Sequence, residues 1–222
     1  MRILRVNTTS IHSTDLISYF ADRLSQEERV ILVDSQKADR RIPIHFGVEN
    51  ECIYDLYDYL LGRSDLYKTS IEVTESLSLV PGPFFEKGEV EPGVERLQDL
   101  IEEAKGEYEI LLLLAEPYLL DIELEGAQEL YIVPTHHPIE DSIDYLVWEY
   151  TDEKIEWEQV YESLPEPPPL VIGYLEEKAL VNGQVSHQTW MEIYGNWRDE
   201  KSANPPNRGI FQRFLDLFRI GN

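Results

Sequence analysis

The chain has 222 residues, 42% hydrophobic and 28% charged, which suits one α/β domain plus a tail and is too apolar for a disordered chain. Its 43 acidic and 19 basic side chains give a formal charge of −24, a field that repels phosphate backbones and excludes general nucleic-acid binding. The single cysteine, Cys52, rules out an internal disulfide and a cysteine-rich metal site. The opening MRILRVNTTS lacks the apolar core of a signal peptide, and no run of apolar residues is long enough to span a bilayer. A reducing cytoplasm is the expected location.

Taken in chain order, Ile3 to Val6 reads as a short buried strand and Asn7 to Thr14 as a polar loop whose last residues, Ser13 and Thr14, cap a helix. From Asp15, the residues Leu16, Ile17, Phe20 and Leu24 form the stripe that such a helix presses on a sheet. Arg29 to Val33 reads as a second strand and puts Asp34 at its carboxyl end, where open α/β sheets hold their ligands. Ile53 to Leu61 has helical spacing, and Leu77 to Val80 is a strand stopped by Pro81-Gly82-Pro83. Pro92 suits a first helical turn, and Val94, Leu97, Leu100 and Ile101 continue the apolar face.

Glu109 to Ala115 contains the continuous apolar run of a central parallel strand, and Leu130 to Val133 gives another. Ile143, Leu146 and Val147 predict a helix over Ile139 to Tyr150. Glu166-Pro167-Pro168-Pro169 is a stiff connector into a last strand, Leu170 to Leu175, and Trp190, Tyr194 and Trp197 form a helical stripe for a core or a partner face. This alternation predicts a doubly wound, mostly parallel sheet with helices on both faces over residues 1–203. Asn204-Pro205-Pro206-Asn207 then leads into an amphipathic C-terminal helix within 204–222.

Several motifs in this order resemble the MinD/ParA family of bacterial positioning ATPases. Val30-Ile-Leu-Val-Asp34 is similar to the family strand ending in aspartate, and His45-Phe-Gly-Val-Glu49 with Tyr54-Asp55-Leu56 to its GV…YDLL stretch. Leu60-Leu61-Gly62, Leu77-Ser-Leu-Val-Pro-Gly82, Ile132-Val-Pro-Thr135 and Ile172-Gly-Tyr-Leu175 follow at family-like spacing. The resemblance implies a P-loop NTPase-like fold. It also implies a glycine-rich phosphate loop between the first strand and first helix.

That loop is where this sequence departs. Wrapping phosphates needs glycines, a lysine and a Ser/Thr hydroxyl for magnesium, and Asn7 to Thr14 contains no glycine and no lysine. Ser13 and Thr14 lie near the hydroxyl position, and His12, mostly uncharged at neutral pH, is a poor substitute for lysine. Gln36 stands where the family carries a second acid, and Ala115 ends the strand that the family closes with aspartate. Ser13, Thr14 and Asp34 are therefore read as vestigial cofactor positions, with no catalytic residue, no bound cofactor and no metal site expected, and the family's ATP-driven dimer is in doubt.

Other constellations carry less. His136 and His137 are adjacent and badly spaced as joint metal ligands, His45 and His187 lack companions at a zinc spacing, and carboxylate pairs such as Glu102 and Glu103 are uninformative in so acidic a chain. The tail is more specific: Ile210, Phe211, Phe214, Leu215 and Phe218 form an apolar face beside Arg213 and Arg219. With Arg208 and only Asp216 opposing, residues 208–222 carry +2 in a protein of −24, as interfacial binding requires. The tail also resembles the family's membrane-targeting helix. The expected function is a non-catalytic MinD/ParA-like adaptor for a division, flagellar or pilus-type assembly, working through protein partners, a homodimer included, and peripherally at the inner membrane face. The alternatives are a divergent nucleotide enzyme and a soluble oligomeric module with a packed tail.

Overall fold

The computed structural model describes residues 1–7, 10–37, 39–84, 95–116, 119, 122–139, 143–150, 155–176 and 185–206. The seven tail residues singled out above, Pro92 and Val94 lie outside the described residues. Two compact units divide the chain, residues 1–129 and 130–222.

In the first unit, β1 (Arg2–Asn7), β2 (Val30–Asp34), β3 (Ile71–Thr74), β4 (Leu77–Val80) and β5 (Ile110–Ala115) lie in the order β3-β4-β2-β5-β1. All pairs are parallel except the β3–β4 hairpin. Every residue of β2 and β5 is buried, because both faces of a central parallel strand are covered and the polar alternation disappears. Ile31, Val33, Leu111 and Leu113 pack in one cluster with α3 (Leu56–Leu60), α4 (Leu66–Thr69) and α5 (Glu95–Ala104). The intervening residues point the other way, towards α1 (Ser13–Leu24), which contacts β1, β2 and β5. The expected sheet with helices on both faces is present.

Arg5, expected only as part of a buried strand, carries a nearly buried guanidinium. Its side chain bridges Glu129 at 2.8 Å and donates to the carbonyls of Leu119 (3.2 Å) and Ile122 (2.7 Å). Four acceptors around one planar cation pin the segment after β5.

The second unit begins within β6 (Ala127–Pro134), whose residues from Leu130 onward run parallel to β7 (Tyr145–Tyr150), with β8 (Leu170–Glu176) parallel on the far side of β7. Helix α6 (Trp157–Glu162) covers one face with Trp157, against Val133, Leu146, Trp148 and Val171. Helix α7 (His187–Arg198) packs on β8, and its Trp190, Tyr194 and Trp197 are buried. The body continues beyond residue 203: Ala203 donates its N–H to Val171 O at 2.7 Å, and Pro205 is buried.

Three sequence expectations fail locally. The helix over Ile139 to Tyr150 is instead strand β7 in its second half; Leu146 and Val147 mimic helical spacing because a strand buried on both faces has no alternation to betray it. Between Ile53 and Leu61 only Leu56–Leu60 is helical, and Ile53 is 79% exposed. Asp55 starts that helix: its carboxylate accepts from Asp58 N–H while the Asp58 side chain accepts from Asp55 N–H, a reciprocal cap that fixes the boundary. Finally, Ser13 and Thr14 do not cap α1. The N-cap is His12, and the turn before it is made by Ser10, whose Oγ accepts from His12 N–H at 2.9 Å.

Candidate functional site

The carboxyl ends of β1, β2, β4 and β5 bring together the residues that the sequence marked as vestigial. Asp34 ends β2 and is completely buried. Its Oδ1 accepts from Gln36 N–H at 2.9 Å, and its Oδ2 has no hydrogen-bond partner. Burial, with Asp39 and Glu116 nearby, outweighs the Gln36 hydrogen bond and Arg41 and raises its pKa to about 8. At neutral pH the group is mostly a neutral acid. Glu116 lies just past the end of β5, and burial raises its pKa too, partly offset by Lys37.

Gly82, from the Pro-Gly-Pro turn after β4, closes over this carboxyl. A Cβ there would fall 2.5 Å from Gln36 O and 3.2 Å from Asp34 Oδ2, so only glycine lets the two loops approach. The family-like "PG" of the sequence is thus a packing requirement between β2 and β4.

Thr14 and Ser13, in the first turn of α1, are both buried. Thr14 Oγ1 donates to Gln36 Oε1 at 2.8 Å, whereas Ser13 Oγ is buried without a partner. One of the two hydroxyls expected near the magnesium-ligand position is therefore engaged by a neutral amide. Ser35, missed in the sequence, joins the ends of β2 and β5: its Oγ donates to Leu114 O at 2.7 Å and accepts from Glu116 N–H at 2.8 Å. Beside it, the buried Ala115 methyl belongs to the apolar core. No sequence pattern distinguishes Ser35 from an ordinary loop serine, and the Thr14–Gln36 contact spans 22 positions.

The remaining candidates do not join this site. His45 pairs with Asp22 at 3.1 Å, and that hydrogen bond raises its pKa. His136 and His137 occupy an exposed turn after β6, His137 N–H donating to Pro134 O. His187 opens α7 and is exposed. Glu103 accepts from Tyr59 OH at 2.9 Å, and Glu102 pairs with Lys105. Burial raises the Cys52 thiol pKa, which disfavours a reactive thiolate. Among the described residues no cluster of three or more His, Cys, Asp or Glu side chains is arranged to hold a metal ion, and no helix is long and apolar enough to cross a membrane.

No protein-family model matches the sequence, and no curated protein matches it. Solved structures do. A plasmid partition protein from Borrelia burgdorferi aligns over 90% of this chain and 100% of its own, with TM-score 0.67 and 14% identity. The MinC:MinD cell division protein complex of Aquifex aeolicus aligns over 94% of this chain and 99% of that one (TM-score 0.62, 19% identity). A ParA family ATPase from Chlorobium tepidum TLS aligns over 88% and 96% (TM-score 0.65, 18% identity). At such identities the likeness concerns architecture, and by that measure this chain has the mostly parallel, P-loop NTPase-like α/β fold of the MinD/ParA family.

Proposed function

We propose that this protein is a non-catalytic member of the MinD/ParA type, a membrane-associated adaptor that helps place a division, flagellar or pilus-type assembly through protein contacts. The observation that carries the reading is the Thr14–Gln36 hydrogen bond, at the end of a loop that has neither glycine nor lysine. A hydroxyl held by an uncharged amide, beside a neutral Asp34, offers magnesium and triphosphate little charge. The structural neighbour solved as a MinC:MinD complex supports protein partners as the working mode of the fold. The sequence of residues 208–222, three arginines and one aspartate among aromatic and aliphatic residues, supports a peripheral membrane contact.

A second reading rests on a separate observation. Ser13 Oγ and Asp34 Oδ2 are both buried without partners, and a reorganised nucleotide site would use such groups. The two readings separate in one experiment, thermal unfolding with and without Mg·ATP. A site occupied at a hundred times its dissociation constant adds roughly 2.7 kcal/mol to unfolding. The non-catalytic reading expects no shift and no phosphate release; a saturable shift favours the second.

A further inference from the structure

Away from that site, the second unit holds a cavity of about 200 Å³ at the carboxyl ends of β7 and β8, beside the first turn of α7. Tyr150, Tyr174, Glu176, Ser186 and Thr189 are among its walls. In the strand register Trp148 lies opposite Tyr174, and Tyr150 opposite Glu176, so both tyrosines and the carboxylate leave the same face of the sheet. Trp157 holds both rings edge-on, with centroids 5.6 Å from Tyr150 and 4.9 Å from Tyr174. Tyr174 OH is engaged by Tyr161 OH. Burial and the charge of Glu176 raise the Tyr150 pKa, which places that carboxylate within electrostatic reach of the phenol.

Two aromatic rings and a carboxylate at one end of a small cavity are the elements of a cation site: ring quadrupoles and a full negative charge act in the same direction. The chain's charge of −24 favours cations further. The amino end of α7 acts the other way, but a helix terminus is worth only about 0.3–1 kcal/mol, and Ser186 Oγ already accepts from Thr189 N–H. The cavity is also below the roughly 300–1,000 Å³ of pockets for whole drug-sized ligands, which suits a single charged head group. We propose that this cavity binds an organic cation, an ammonium or guanidinium group, against the Tyr150 and Tyr174 rings with its charge on Glu176.

The group could come from a free amine or from a Lys or Arg side chain of a partner protein, and the test separates these sources. The full chain, labelled with ¹⁵N, is titrated at physiological salt with choline, with N-acetylarginine amide, and with a glycine-flanked arginine pentapeptide. Saturable shifts at Ser186 and Thr189 are expected for at least one probe. Glu176→Gln, nearly isosteric, weakens binding about tenfold, Tyr150→Leu weakens it several-fold, and Glu192→Gln on the exposed face of α7 leaves it unchanged. Tighter binding of the pentapeptide assigns the site to a protein partner, and tighter binding of the free cations to a small amine. Shifts that never saturate, or that respond equally to Glu176→Gln and Glu192→Gln, overturn the proposal, since they would report only the bulk acidity of the protein.

Discussion

Asp34 is a residue whose environment contradicts its chemistry. A carboxylate would be solvated at the end of a strand in an open crevice, yet this one is sealed by Gly82 and the Gln36 loop and holds its proton to about pH 8. Because the folded pKa lies above the unfolded value of 3.8, the native state binds the extra proton. Stability from this group is therefore complete in acid and falls as pH rises from about 4 to about 8. Asp34→Asn removes that dependence: urea unfolding should show the variant gaining on the wild type by about 1–3 kcal/mol between pH 5 and pH 8. An unchanged pH slope would mean that Asp34 is ionised in the fold. Gly82→Ala tests the same packing from the other side and should cost about 2 kcal/mol by overpacking. A neutral result would show that the turn relaxes away from Gln36 O. The position of Asp34 at a strand end was legible from the sequence, because the apolar run stops there. Its burial and its proton were not, since both depend on Gly82, nearly fifty residues further along the chain.

At the scale of elements, the motifs that carried the family resemblance turn out to be structural devices. Asp55 of the Tyr-Asp-Leu stretch caps α3 and also accepts from Phe84 N–H at 3.2 Å, while Leu56 N–H donates to Pro81 O. One carboxylate thus ties a helix start to the loop after β4. Asp55→Ala should cost about 1–2 kcal/mol, measurable by urea denaturation; less than about 0.5 kcal/mol would mean that water replaces the cap. Gly173 plays a comparable part in the late Gly-Tyr-Leu segment, where a Cβ would meet Ile193 Cγ1 of α7 at 2.4 Å. Elements with a strong single-face pattern, such as α1 and α5, were readable from their stripes. Short pieces were not: α2 (Arg41–Phe46) has Pro43 in its first turn and too few residues for a stripe, and β3 is four residues of a hairpin. Strand β7 carries no strand signature in the sequence, because burial removes the alternation that distinguishes a strand.

For the whole molecule, charge and the C-terminal sequence set the expected behaviour. Residues 1–207 carry −26 and are repelled by an anionic bilayer, whereas residues 208–222 bring +2 among aromatic and aliphatic side chains. A segment this short binds weakly as one copy and gains from pairing or from a bound partner, so its affinity should fall steeply with salt. The fold was legible in the alternation of strands and helices, but the role of the tail rests on sequence alone. The most direct measurement is co-sedimentation with vesicles of phosphatidylserine and phosphatidylcholine, using the full chain and a version ending at Pro206, each with and without Mg·ATP. The full chain is predicted to sediment equally in both conditions with no phosphate released, and the shortened chain to stay in solution. Binding that appears only with Mg·ATP, accompanied by hydrolysis, would contradict the non-catalytic account.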